Sequence, residues 1–166
     1  GGIILQEKVP IQPDESAGSL HDRLALLGAD LLLQALEKMQ SRDFAPKPQN
    51  DAEATPAPKL TREDCHLSFD QSCEAVKNRI HGLSPFPGAF AYLNNQRFNF
   101  YKAKSLPSER SIQPPGTVII PDKNRIMVSC KTGAVEILEI QREGKQRLPV
   151  REFLKGFSIP AGQRFE

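Results

Sequence analysis

The spacing of apolar positions along the 166-residue chain changes character twice. Leu20, Leu24, Leu27, Leu31, Ala35 and Met39 recur at steps of three or four, flanked by Leu32 and Leu36, while Asp22, Asp30, Glu37 and Lys38 point elsewhere. That period predicts one long amphipathic helix whose stripe packs against other structure. Pro13-Asp14-Glu15-Ser16 ahead of it supplies turn and helix-start chemistry, with acids near the positive end of the helix dipole. Ile3 to Ile11 is an apolar run of β type, closed by Pro10 and Pro13. From Phe44 to Pro58 the period vanishes. Prolines at 46, 48, 56 and 58 remove amide donors and favour extended backbone, so this stretch reads as a linker lying along a folded surface.

Beyond the linker the pattern shortens. A helix is predicted from about Ser72 to His81, with Cys73, Val76, Ile80 and Leu83 as its apolar seam and Lys77, Asn78, Arg79 and His81 on the other side. Pro85 and Pro87 end it. Short β runs follow at about 89–93, 97–104, 117–121, 125–130 and 134–141, with Asn94-Asn95 suited to a tight hairpin and Lys131-Thr132-Gly133 to a longer one. Val135 and Ile137 lie on one parity but Leu138 and Ile140 on the other, and Phe98 and Phe100 share a parity with Lys102 and Lys104. Both switches imply a bulge or sharp bend, the second near Tyr101. Leu148 to Lys155 reads as a short last helix before a tail over Gly156–Glu166. The fold class expected is α+β and mostly β: an OB-fold-like Greek-key β-barrel, preceded by a strand–long helix segment and a Pro-rich linker.

Composition narrows the function. Hydrophobic residues at 39% and charged residues at 25% fit one good core or two small ones. No apolar run approaches a membrane span and no leader pattern is present, which points to a soluble cytoplasmic protein. Cys65, Cys73 and Cys130 are odd in number and include no Cys-x-x-Cys pair, so free buried thiols are expected rather than a disulfide framework or a zinc site. The formal charge of +2 is uneven. Residues 1–44 carry 4 Lys/Arg and 7 Asp/Glu, net −3, and residues 45–166 carry 18 and 13, net +5. The later portion is compatible with a polyanion partner. His21, His66 and His81 are scattered and come with no nucleophile-and-base motif, so no catalytic, cofactor-binding or metal-ligating residue is assigned.

The run from Arg79 through His81-Gly82-Leu83-Ser84-Pro85-Phe86-Pro87-Gly88 to Ala89 carries a resemblance, together with Ala54-Thr55-Pro56-Ala57-Pro58-Lys59-Leu60 upstream. Downstream, Gly116-Thr117, Gln141-Arg142-Glu143-Gly144-Lys145 and Phe153-Leu154-Lys155-Gly156 continue it in order. The chain resembles the carboxy-terminal half of the bacterial methionyl-tRNA formyltransferase family along its whole length. The resemblance implies three regions: 1–44, the terminal strand and helix of a Rossmann-type catalytic domain; 45–60, a linker; and 61–166, an OB-like tRNA-binding domain. The family's activity is transfer of a formyl group from 10-formyltetrahydrofolate to the amino group of methionyl initiator tRNA, at the start of translation. Its catalytic Asn, His and Asp, and the folate site, would precede Gly1, since Gly1 to Pro10 matches the segment just after the catalytic Asp. This portion alone is then expected to be inactive, a monomer lacking its N-terminal catalytic domain, with initiator methionyl-tRNA as partner.

By the same resemblance, Lys59, Arg97, Lys102, Lys145 and Lys155 are the first candidates for phosphate contacts. Charge alone adds Arg62, Arg79, Lys104, Arg147 and Arg151. The sequence departs from the family at four positions: His81 where Arg is usual, Phe86 for Trp, Pro56 for an aromatic, and Asn99 for a common Lys. Losing permanent charge at 81 and 99 is expected to weaken any phosphate contact made there. Two other readings use the same residues: the barrel of another folate-dependent formyltransferase or hydrolase, or a free-standing interaction module docking a partner on the leucine-striped helix.

Overall fold

The structure is a computed structural model describing residues 1–42 and 44–166. Two compact units divide the chain: residues 1–15 with 19–59, and residues 16–18 with 60–166.

Helix α1 spans Ala17–Ser41, and none of its residues is fully buried. Leu20, Leu27, Leu31 and Ala35 of the predicted stripe are half-buried, whereas Leu24 and Met39 are exposed. The strand expected over Ile3–Ile11 shrinks to a single antiparallel bridge between Ile3 and Lys47, held by reciprocal backbone hydrogen bonds of 2.8 and 2.9 Å. Pro46 and Pro48 leave the outward edge of that linker segment without amide donors, so no further strand adds there. The linker is exposed along its length and makes one short 3₁₀ turn, Asp51–Glu53, capped by the Asn50 side chain. Among the described residues no helix is long and apolar enough to cross a membrane.

The second unit is built on an antiparallel six-stranded sheet: β1 (Ala89–Leu93), β2 (Gln96–Leu106), β3 (Val118–Asp122), β4 (Arg125–Ser129), β5 (Ala134–Arg142) and the short β6 (Leu148–Pro149). Its order is β1-β2-β5-β4-β3, with β6 beside β5. Helix α2 (Cys73–Gly82) and helix α3 (Val150–Gly156) pack against it. Together these make the β-rich α+β fold that the pattern predicts. The two Asn residues of the β1–β2 turn have φ of 51° and 60°, the paired left-handed geometry a two-residue hairpin demands.

Both predicted parity switches occur at one place. Pairing of β2 with β5 runs Phe100↔Ile140, Lys102↔Glu139, Ala103↔Ile137, leaving Tyr101 extra on one strand and Leu138 extra on the other. Phe98 and Phe100 therefore face inward before the slip and Ala103 after it, while Ile140, Ile137 and Val135 do the same on β5. Such a slip strands backbone donors. The Ala103 amide finds its partner in the buried His81 imidazole, donating to Nε2 at 3.1 Å. His81, expected on the polar side of α2, is thus buried, and it caps the slip rather than facing solvent.

The segment expected as a tail is structural instead. Gly162 and Gln163 bond to Val118 at the β3 edge, and the Phe165 amide donates to the Gly116 carbonyl. Glu166 exchanges two 2.8 Å hydrogen bonds with Tyr92 on β1. The sheet's two outer strands are thereby tied together through the last residues. Phe165 is buried among Phe69, Phe98 and Phe100, with ring centroids 5.2 to 6.1 Å away. Gly116, at φ +88°, admits this crossing, because a Cβ there would sit 2.4 Å from the Phe165 carbonyl oxygen. Cys65, Cys73 and Cys130 carry free, buried thiols, and burial, with Cys73 adding, pushes the Cys130 thiol up to about 12.

His81→Leu keeps side-chain bulk but leaves the Ala103 amide without its acceptor, and should cost about 1–3 kcal/mol in urea unfolding. A loss under about 0.5 kcal/mol would mean that the amide is satisfied in some other way.

Candidate nucleic-acid interface

Because the slip reverses parity, β2 presents Arg97, Asn99, Tyr101, Lys102 and Lys104 on the outer side while its phenylalanines stay inside. On the neighbouring β5 the matching outward position is Gln141, and the β5–β6 turn carries Lys145 and Arg147. Gly144 at φ 72° shapes that turn, which the Lys145 amide closes onto the Arg142 carbonyl at 3.0 Å.

Arg97 is the best-prepared cation of the row. Its guanidinium lies over the Phe90 ring at 4.2 Å, and its Nε donates to Asn99 Oδ1 at 3.0 Å. Among the described residues its terminal amino groups have no protein hydrogen bond, so the fork is braced and available. A cation over an aromatic face contributes roughly 0.5–1 kcal/mol at exposed sites, enough to bias a rotamer without fixing a fold. Asn99 then donates to Gln141 Oε1 at 3.2 Å, and the Tyr101 hydroxyl donates to the same oxygen at 2.6 Å. Arg147 lies over the Tyr101 ring at 4.3 Å, and its Nε donates to Glu139 Oε2 at 2.6 Å. Its charge is therefore answered by the Glu139 carboxylate, which takes both Nε and a terminal amino group.

A second group approaches Phe90 from the chain before α2. His66 stacks on that ring at 5.2 Å, its Nε2 lying 2.9 Å from the Glu166 carbonyl oxygen. Arg62 lies 5.8 Å from the Phe90 centroid and donates to the Tyr92 hydroxyl at 2.9 Å. Phe90 itself is only 3% exposed. It serves as a platform beneath cations, not as a stacking surface. The turn presenting Arg62 is locked by Asp64, whose carboxylate accepts from both the amide and the hydroxyl of Thr61 at 2.8 Å. These two donors, with a smaller pull from Arg79, hold the Asp64 carboxyl below the usual carboxylate range.

Of the residues the sequence singled out, the structure brings Arg62, Arg97, Lys102, Lys145 and Arg147 onto one connected surface. Lys104 continues the β2 row opposite Glu136, and Lys102 stands opposite Glu139. Lys155 and Arg151 are on α3, whose Phe153 packs on the inward Phe98, so they lie on the other side of β2; Lys155 pairs with Glu152 at 2.8 Å. Arg79 donates to the Asp64 carbonyl and borders a cleft of about 570 Å³ with His66 and Asn78. Lys59 is exposed at the end of the first unit. Phe86 and Pro56 are both exposed, Phe86 at 85%. The loss of charge at His81 touches no surface contact, since that residue is interior. Asn99 has an identified role, linking Arg97 to Gln141. Sequence reasoning missed Phe90, Tyr92 and Tyr101 as supports. Phe90 and Tyr92 alternate with alanines on β1, and Tyr101 stands beside Lys102 on β2, a pattern that does not report which face they share with the cations. Among the described residues no cluster of three or more His, Cys, Asp or Glu could hold a metal ion.

Comparison with known proteins adds a family. Residues 59–158 match the profile of the "Formyl transferase, C-terminal domain". The chain is similar to proteins named methionyl-tRNA formyltransferase: 33% identical over 98% of its length to that of Citrifermentans bemidjiense, covering 50% of the relative. For Caldanaerobacter subterraneus the values are 36%, 98% and 52%, and for Koribacter versatilis 38%, 95% and 49%. The chain thus spans about half the length of the curated relatives it matches. Among solved structures, HypX from Aquifex aeolicus shares the fold. One variant is 20% identical with TM-score 0.62, covering 93% of this chain and 31% of that one; the complex with tetrahydrofolic acid is 23% identical with TM-score 0.56, covering 82% and 26%.

The Asp64 pKa lies lower in the folded chain than its unfolded value of about 3.9, so the turn's stabilisation is full above that pH and fades as pH falls through the folded value. NMR titration should place the Asp64 midpoint below that of an unstructured aspartate, and Thr61→Ala should move it back up. A midpoint at or above about 3.9 contradicts the locked turn.

Proposed function

Because the chain belongs to the formyl transferase C-terminal domain family, we propose that it is the distal portion of a methionyl-tRNA formyltransferase and holds the initiator tRNA. In this reading formyl transfer to the methionyl amino group, with 10-formyltetrahydrofolate as donor, is carried by a part of the protein that this chain does not span. No folate-binding or catalytic residue is assigned here. The chain works as a soluble cytoplasmic partner of tRNA in translation initiation, its β-rich unit acting as an OB-like binding module. Relatives of that name at 33% to 38% identity support the substrate.

The observation that carries the proposal is Arg97, braced by Phe90 and Asn99, with terminal amino groups that have no hydrogen bond among the described residues. A planar fork of fixed direction suits bidentate contact with phosphate oxygens, which positions an RNA without reading its bases. Lys102, Lys145, Arg147 and Arg62 extend the positive surface on either side. Duplex RNA hides its major-groove base edges in a deep, narrow groove and is held mostly by shape and by phosphate and 2′-hydroxyl contacts, a mode that suits such a face. Lys59, Lys155, Arg79, Lys104 and Arg151 complete the candidate set.

Titration with initiator tRNA at several salt concentrations tests this. Affinity should fall steeply with salt, and Arg97→Ala should shallow the log–log slope by about one unit, for one lost phosphate contact. Arg97→Lys should keep most of the slope while binding more weakly, since charge survives and the fork does not. Salt-independent binding, or none at low salt, would leave the reading without support and favour another folate-dependent enzyme as the parent.

A further inference from the structure

We propose that Gln141 is the positioning residue of this surface, a neutral side chain that sets the direction of its cations; the inference rests on the tRNA-binding reading above. All three polar partners of its amide are on the outer face. Oε1 accepts from Asn99 Nδ2 and from the Tyr101 hydroxyl, and Nε2 donates to the Lys145 carbonyl at 2.7 Å. Only one orientation of the amide satisfies this set. Turned over, its NH₂ would oppose the Asn99 NH₂ and its oxygen would oppose a carbonyl.

Each of those partners leads to a cation. Asn99 holds Arg97 through Nε, Tyr101 carries Arg147 on its ring, and the Lys145 carbonyl fixes the turn from which the Lys145 side chain projects. Three cations drawn from a strand and a turn are thus referred to one amide. Gln141 is half-buried, and its bonds are shielded on one side by the sheet. Holding flexible side chains near their bound directions before contact lowers the ordering cost of binding, so a residue that touches no phosphate can still set affinity.

Gln141→Met removes all three hydrogen bonds at nearly constant volume and without changing charge. With initiator tRNA it should weaken binding about three- to tenfold. The decisive readout is the salt slope. Loss of positioning should shallow it by roughly one unit although no charge was deleted, because a cation has dropped out of register. Tyr101→Phe, which deletes one donor and keeps the ring under Arg147, should fall between wild type and Gln141→Met. A full loss of affinity at unchanged slope would mean that Gln141 contacts RNA directly, and an unchanged affinity would mean that it sets nothing; either result overturns the proposal. An RNA-free measurement separates this failure from that of the tRNA reading. In NMR spectra the Arg97 Nε–H signal should be resolved and slow to exchange in wild type, and should lose that protection in Gln141→Met. If it stays protected, Gln141 is not the positioning residue, whatever the chain binds.

Discussion

The double slip between β2 and β5 is the constraint on which both halves of the second unit depend. A strand of regular period cannot place Phe98, Phe100 and Ala103 inside while also placing Arg97, Tyr101, Lys102 and Lys104 outside, because 100 and 103 have opposite parity. An extra residue on β2 at Tyr101 and one on β5 at Leu138 reconcile the two demands. The inner row keeps its aromatic core and the outer row keeps its cations. The local cost is a broken ladder, met in part by the buried His81 accepting from the Ala103 amide. One irregularity therefore sets the packing, the buried polar residue of α2 and the surface together.

Closure follows a different logic. The strand order leaves β1 and β3 at opposite ends of the sheet, and the last residues tie those ends with hydrogen bonds to Tyr92, Gly116 and Val118. Phe165 makes the tie hydrophobic as well, its ring inserted among three others in the core. Tyr92, bonded to Glu166 through its backbone, also accepts from Arg62 through its hydroxyl, while His66 reaches the Glu166 carbonyl from the other side. The same few residues that join the sheet's ends therefore support one flank of the cationic surface.

Much of this architecture was legible from periodicity. The five main strands, the Asn94-Asn95 turn, the α2 seam and both parity switches follow from local chemistry, since a bulge betrays itself wherever apolar residues change sides. What was not legible depended on distant partners. Ile3–Ile11 reads as a strand, but strand character needs a neighbour, and among the described residues Lys47 alone offers one. Gly156–Glu166 reads as a tail because Phe165 and Ile159 are isolated apolar residues, and the burial of Phe165 is decided by the distant Phe69, Phe98 and Phe100. His81 sits at a helix position that a wheel assigns to solvent, and it is drawn inside by an amide more than 20 residues away. On the surface, charge identified most of the cations. The aromatic supports and the amide hub between them were hidden, because neither charge nor period reports which neutral side chains share a face.

That blind spot bears on how such surfaces work. Counting cations would rank Arg97, Arg147 and Lys145 alike, yet their surroundings differ. Arg147 has an aromatic floor and an anchored Nε but is answered by Glu139, Lys145 is tethered through its backbone, and Arg97 joins an aromatic floor and an Nε anchored by a neutral amide to open terminal amino groups. A phosphate gains most where the cation is already oriented and unanswered, since the charge there is neither neutralised by a neighbour nor ordered at the ligand's expense. Asn99 stands where the resemblance to the formyltransferase family leads one to expect a lysine. In place of a charge there, the chain has an amide that accepts from Arg97 on one side and donates to Gln141 on the other. One fewer positive charge is offset by better direction of the one beside it, so the charge deficit at position 99 is not a simple loss of binding.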